Sequence, residues 1–102
     1  MPSTDKLSNY KTTIHTDDQG YTTVIYTNTA IVKFNGDNII LNSGGYETVT
    51  TKRKMNQASN QFNLPYGVFQ KDFKWYVDTQ TGRHDFEDNM SVNQITGEVS
   101  YV

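Results

Sequence analysis

Alternation of apolar and polar residues sets in near Tyr10 and predicts strands rather than helix for the first forty positions. The segments KTTIHT and YTTVIYTN are rich in the β-branched and aromatic residues that suit a pleated strand. Asp17, Asp18, Gln19 and Gly20 separate them as a turn, giving a first hairpin. A second follows, with TAIVKF and NIILN flanking Asn35, Gly36, Asp37 and Asn38. Alternation puts Ala30, Val32 and Phe34 on one face of the first arm, with Ile31 and Lys33 on the other. Ile39, Ile40 and Leu41 are consecutive apolar residues and predict a central strand covered on both sides.

The period then changes. Gly44 and Gly45 break the strand, and residues 50–62 contain neither proline nor glycine. At about 100° per residue, Thr51, Met55, Ala58 and Phe62 form an apolar stripe suited to packing on a sheet. Lys52, Arg53, Asn56, Gln57, Asn60 and Gln61 fall on the opposite side. Pro65 disfavours helical geometry at Leu64 and ends the element. YGVFQ and KWYVD, joined near Lys71, Asp72 and Phe73, predict a third hairpin in which Trp75 and Tyr76 point to opposite faces. The tail, with two glycine-marked turns, is expected to finish in a short strand at residues 99–102. The expected fold is α+β: one mainly antiparallel sheet of five or six strands with a single amphipathic helix packed on it. Residues 1–9, with Leu7 as apolar anchor, are expected to be a loose terminus, and residues 10–102 a single domain.

Composition supports a folded chain. Only 34% of the 102 residues are hydrophobic, but 13 are aromatic and offset the lean aliphatic content. With no cysteine, disulfides, thiolate metal sites and cysteine nucleophiles are excluded. No segment reads as a leader or approaches the ~20 apolar residues of a membrane span, so a protein of the cytoplasm, without a membrane partner, is expected.

The net charge of −2 becomes informative once resolved along the chain. Residues 1–47 hold five acids and three bases, residues 48–71 four bases and no acid, and residues 72–102 six acids and two bases. The middle is a cationic island, and Lys52, Arg53 and Lys54 sit at the helix start, where the dipole favours anions instead. Stability alone does not select three cations there. With the hydroxyls of Thr48, Thr50 and Thr51 and the flexible Gly44 and Gly45, the stretch reads as a generic phosphate-binding corner, without the P-loop pattern. Asn56, Gln57, Asn60 and Gln61 extend it with amides able to pair with adenine, as Arg53 can with guanine.

Residues 41–77, LNSGGYETVTTKRKMNQASNQFNLPYGVFQKDFKWYV, resemble a small domain family encoded by bacteriophages and other mobile elements. Its members share an NSGG turn, a TTK-R-MNQ-SN helix and a V-Q-W-V hairpin, preceded by an IVKF-like strand matched here at residues 31–34. The likeness extends over roughly residues 21–77. It implies a phage or mobile-element origin and therefore a bacterial host cell, but no activity. Where the family often has glycine after the helix, this chain has Asn63 and Pro65.

Three functions are weighed. The first is a non-enzymatic accessory protein that binds nucleic acid through Thr50, Lys52, Arg53, Lys54, Asn56, Gln57, Asn60 and Gln61; its bland counterpart is an ordinary solvated polar face. The second is a protein-binding inhibitor of a host factor, anti-defence or anti-CRISPR-like in kind. The third is a metal-dependent nuclease using His84, Asp85, Glu87 and Asp88, a cluster that lacks a matching ligand pattern elsewhere. His15 with Asp17 and Asp18 is explained by a strand end beside a turn. Phe69, Phe73, Trp75 and Tyr76, with Lys71 and Lys74, offer a stacking platform for single-stranded bases, though most are expected in the core. No nucleophile-elbow, dinucleotide, haem or flavin motif occurs, so neither catalysis nor a cofactor is expected.

Overall fold

The computed structural model describes residues 11–45 and 47–101. The expected loose terminus at residues 1–9 lies outside them, as do Tyr10, Tyr46 and Val102. The elements are β1 (Thr12–Thr16), β2 (Thr22–Tyr26), β3 (Thr29–Phe34), β4 (Asn38–Leu41), α1 (Val49–Phe62), β5 (Gly67–Lys71), β6 (Lys74–Thr79), β7 (Gly82–Asp85), β8 (Met90–Asn93) and β9 (Val99–Ser100). They build an α+β fold with two antiparallel sheets among the described residues, ordered β1-β2-β3-β4-β8-β9 and β5-β6-β7. The strands exceed the expected number because β7 (GRHD) has no apolar residue and β8 (MSVN) only two, too short a pattern to read. Pairing with β6 and β4 makes them strands.

The larger sheet buries one face. Val24 lies opposite Val32, Val32 opposite Leu41, Phe34 opposite Ile39, and β8 adds Met90 beside Leu41 and Val92 beside Ile39. Alternation in β3 is interrupted: Val24 pairs with Val32 but Ile25 with Ala30, so Ile31 has no residue opposite and forms a β-bulge. Ile31 is therefore buried with Val32 instead of pointing away with Lys33, and Ala30 is exposed. The expected burial of β4 on both sides is likewise corrected. Ile39 and Leu41 are fully buried, whereas Ile40 stands half-buried on the open face between Lys33 and Ser91.

The helix and the smaller sheet contribute to the same core. Thr51, Met55 and Ala58 are buried as the stripe requires, and Phe62 meets Phe34 with ring centroids 5.0 Å apart. From the smaller sheet come Val68, Val77 and Trp75, the last packed edge-on against Phe86 at 5.3 Å. Trp75 is buried while its neighbour Tyr76 lies on the outer face, as strand alternation demands. The two sheets are tied where the Thr79 and Thr81 hydroxyls donate to the Gly97 carbonyl at 2.8 and 3.0 Å. Gly97 has φ +80°, and a Cβ there would lie 2.8 Å from the Cβ of Gln80, so no larger residue fits this crossing.

A polar seam fastens α1 to the chain that follows it. Thr48 caps its start, accepting the Thr51 N–H at 3.2 Å. Asn63 ends it in the left-handed conformation, a role in which asparagine replaces the usual glycine, and the Leu64 N–H returns to the Ser59 carbonyl at 2.9 Å. The Ser59 hydroxyl lies 2.8 and 2.7 Å from the carbonyl oxygens of Leu64 and Tyr66. The fully buried Tyr66 phenol donates to the Met55 carbonyl at 2.7 Å, and burial holds its pKa far above the ordinary phenol value. Finally, the Asn56 amide donates to the Val68 carbonyl and accepts the Val68 N–H, both at 2.8 Å. Asn56 thus occupies the place of a neighbouring strand at the free edge of β5.

Replacing Asn56 strips partners from two backbone groups at once. Asn56→Ala is expected to lower stability by about 2 kcal/mol in urea denaturation, against less than about 0.5 kcal/mol for exposed Asn60→Ala. Equal effects of the two substitutions would remove the clamp from the account of the fold.

Candidate nucleic-acid interface

The expected interface residues of α1 do not share one surface. Thr50, Arg53, Asn60 and Gln61 are exposed and Lys52 is half-buried. Lys54 and Gln57 are only 4% and 5% exposed, which removes them from any groove-reading face. The Lys54 Nζ lies 5.8 Å from the centre of the Tyr26 ring. Desolvation, and secondarily Arg53, lowers its pKa. Asn56 is committed to β5. What α1 presents outward is therefore a cationic first turn with Arg53 and Lys52, and two separate amides further along.

The anticipated phosphate corner is already filled from within. The Ser43 N–H and hydroxyl both donate to one carboxylate oxygen of Asp88, at 2.8 and 2.7 Å. The Gly44 N–H donates to the Asn42 side chain at 2.7 Å, and the Gly45 N–H to the Ser43 hydroxyl at 3.2 Å. Asp88 thus supplies the anion that the Ser43 N–H and hydroxyl hold, while the glycine N–H groups are satisfied within the turn, and its charge opposes a second one there. Gly44 is required for packing, because a Cβ would fall 2.7 Å from the Thr29 hydroxyl. Beside it, a cleft of about 370 Å³ is lined by Tyr26, Thr27, Thr29, Ser43, Thr48 and Thr51, with no charged group in its described lining.

The acidic cluster is dispersed. β7 sends His84 and Asp85 to opposite faces. His84 lies 2.6 Å from the Thr81 hydroxyl, Asp85 pairs with Lys74 at 3.3 Å, and Asp88 is held by Ser43. Among the described residues no three His, Asp or Glu side chains gather as metal ligands would. The turn at Asp17 is also structural, its carboxylate accepting the Gln19 and Tyr21 N–H groups at 2.9 and 3.0 Å. These bonds, led by that of Tyr21, lower its pKa.

The smaller sheet carries further cations on its outer face. Trp75 leaves the expected platform for the core, but Phe69 and Tyr76 stack on the outer face of β5-β6-β7, centroids 5.5 Å apart and planes 28° from parallel. Arg83 extends across both rings, 5.8 Å from Phe69 and 5.2 Å from Tyr76, and the Lys74 Nζ lies 5.7 Å from Tyr76. Arg83 escaped the sequence reading because β7 has no apolar alternation to mark it as a strand. Only the pairing of Asp78 with Arg83 and Tyr76 with Asp85 sets it beside the rings.

α1 and β5 run in opposite directions along their seam. Tyr66 bonds back to Ser59 and Met55, and Val68 to Asn56. A strand advances about 3.3 Å per residue and a helix about 1.5 Å, so each residue of β5 beyond this contact passes about two residues of α1.

Residues 1–93 match the family described as Kyanoviridae Gp96 protein. Neither a curated protein nor a solved structure matches the chain. Among the described residues no helix is long and apolar enough to cross a membrane.

Asp88→Ala deprives the buried Ser43 of its charged acceptor and is expected to cost about 2 kcal/mol, measured by thermal or urea unfolding. Glu87→Ala, one position away and exposed, serves as the control; similar losses in both would show that the Ser43 bonds contribute nothing specific.

Proposed function

The chain belongs to the Kyanoviridae Gp96 family of phage proteins, and we propose that it is a non-enzymatic accessory protein that binds nucleic acid through the cationic start of α1. The observation that carries this reading is the start of α1, which leaves Arg53 exposed and Lys52 half-buried and has no acidic residue in its first turn. Such a cluster suits the spacing of phosphates along a strand, and the overall charge of −2 restricts binding to this patch instead of spreading it over the molecule. Asn60 remains exposed for a supplementary hydrogen bond. Lys54, Asn56 and Gln57 act within the fold.

Binding of this kind is salt-dependent. A labelled oligonucleotide is expected to bind at low ionic strength, with log affinity falling linearly in log salt. Lys52→Ala with Arg53→Ala should flatten that slope by roughly 0.7 per single-strand contact removed, without changing the melting temperature. Absence of binding to both single and double strands at about 50 mM salt would exclude the proposal.

A further inference from the structure

The turn between β5 and β6 is built against its own stability. Lys71 and Lys74 are directly paired, leaving a two-residue loop of Asp72 and Phe73. Both have positive φ, +53° and +67°. That is the pattern of a type I′ turn, in which asparagine and glycine are favoured and a bulky side chain is a backbone outlier. Phe73 is moreover 96% exposed, so its ring gains nothing from the core. A third penalty comes from the lysines, since like charges directly opposite each other repel. Asp85, more than half exposed, offsets Lys74 in part at 3.3 Å. Among the described residues none covers the Phe73 ring.

We infer that this hairpin is a single-strand-binding finger: Phe73 stacks on an unpaired base, the facing lysines hold the adjoining phosphates, and the Phe69–Tyr76–Arg83 layer receives further bases. The inference rests on the nucleic-acid reading above and adds the strand form. The chemistry selects the ligand. An anion placed between Lys71 and Lys74 relieves their repulsion, and a flat aromatic face covers an exposed ring on a rigid tip. A single strand offers both groups within one nucleotide, whereas a duplex keeps its base faces stacked inside. Arg83 and Lys74 are already drawn over aromatic rings, leaving a mixed cationic and aromatic layer of the sort on which successive bases lie.

The test compares a labelled oligothymidine with a duplex of equal length, by fluorescence anisotropy at low salt. Wild type is expected to favour the single strand about tenfold or more. Phe73→Gly should weaken single-strand binding about tenfold while leaving the duplex unaffected, and Phe73→Trp should restore it. The glycine variant is also expected to melt at a higher temperature, because Asp-Gly suits the turn, which separates lost binding from unfolding. If Phe73→Gly binds oligothymidine as wild type does, the finger proposal is overturned, and the ring is left for a protein partner's apolar pocket. Absence of binding to either strand form by wild type would instead overturn both this inference and the reading on which it rests.

Discussion

The two hydrogen bonds between Asn56 and Val68 fix how the only helix among the described residues meets the smaller sheet. An edge strand presents paired donors and acceptors that must be satisfied or left to solvent or another chain. The carboxamide is the neutral side chain that offers one donor and one acceptor in the right fork to close such a site. Around it, Ser59, Tyr66 and Asn63 satisfy the carbonyls and N–H groups of the helix exit, so the four residues between α1 and β5 have little freedom. The direction of β5 along the helix follows from this seam.

A second constraint is the single covered face of the larger sheet. Its inner residues come from five strands, β2, β3, β4, β8 and the partly buried Val99 of β9, and need a lid broad enough to exclude water. The helix alone supplies Thr51, Met55, Ala58 and Phe62. Val68, Trp75, Val77 and Phe86 complete the cover from the smaller sheet and the loop that follows it. Large aromatic areas thus do what a longer aliphatic chain would do elsewhere, which reconciles a hydrophobic content of 34% with a continuous core. The bulge at Ile31 serves the same end by turning one more branched side chain inward.

The chemistry of the surface divides according to how each polar group is used. Asp88, Asn42 and Ser43 satisfy one another around the NSGG turn, and Lys54 and Asn56 are drawn into the packing. By contrast the β5–β6 tip retains a left-handed, exposed phenylalanine between two facing lysines, of which Lys74 is offset in part by Asp85. A glycine at the tip would fold more readily. Its absence separates this turn from those at Gly44 and Gly97, where the residue type follows from local crowding.

Local patterns determined the α+β class, the apolar stripe of the helix, the first three hairpins, and the limits of α1 to within a residue. Each depends on periodicity or turn chemistry within a few neighbours, as does the cationic start of the helix. Long-range pairing decided what those patterns could not. β7 and β8 exist because β6 and β4 offer edges, and Ile31 turns inward because its partner strand is one residue shorter there. Helical angle grouped Asn56 and Gln57 with Arg53, yet it cannot tell solvent from a strand edge packed along the same side. Arg83 reaches its rings only through sheet register. The sequence by itself set which groups are present and their local period; the tertiary structure decided which face water, because burial depends on what the rest of the chain lays against each face.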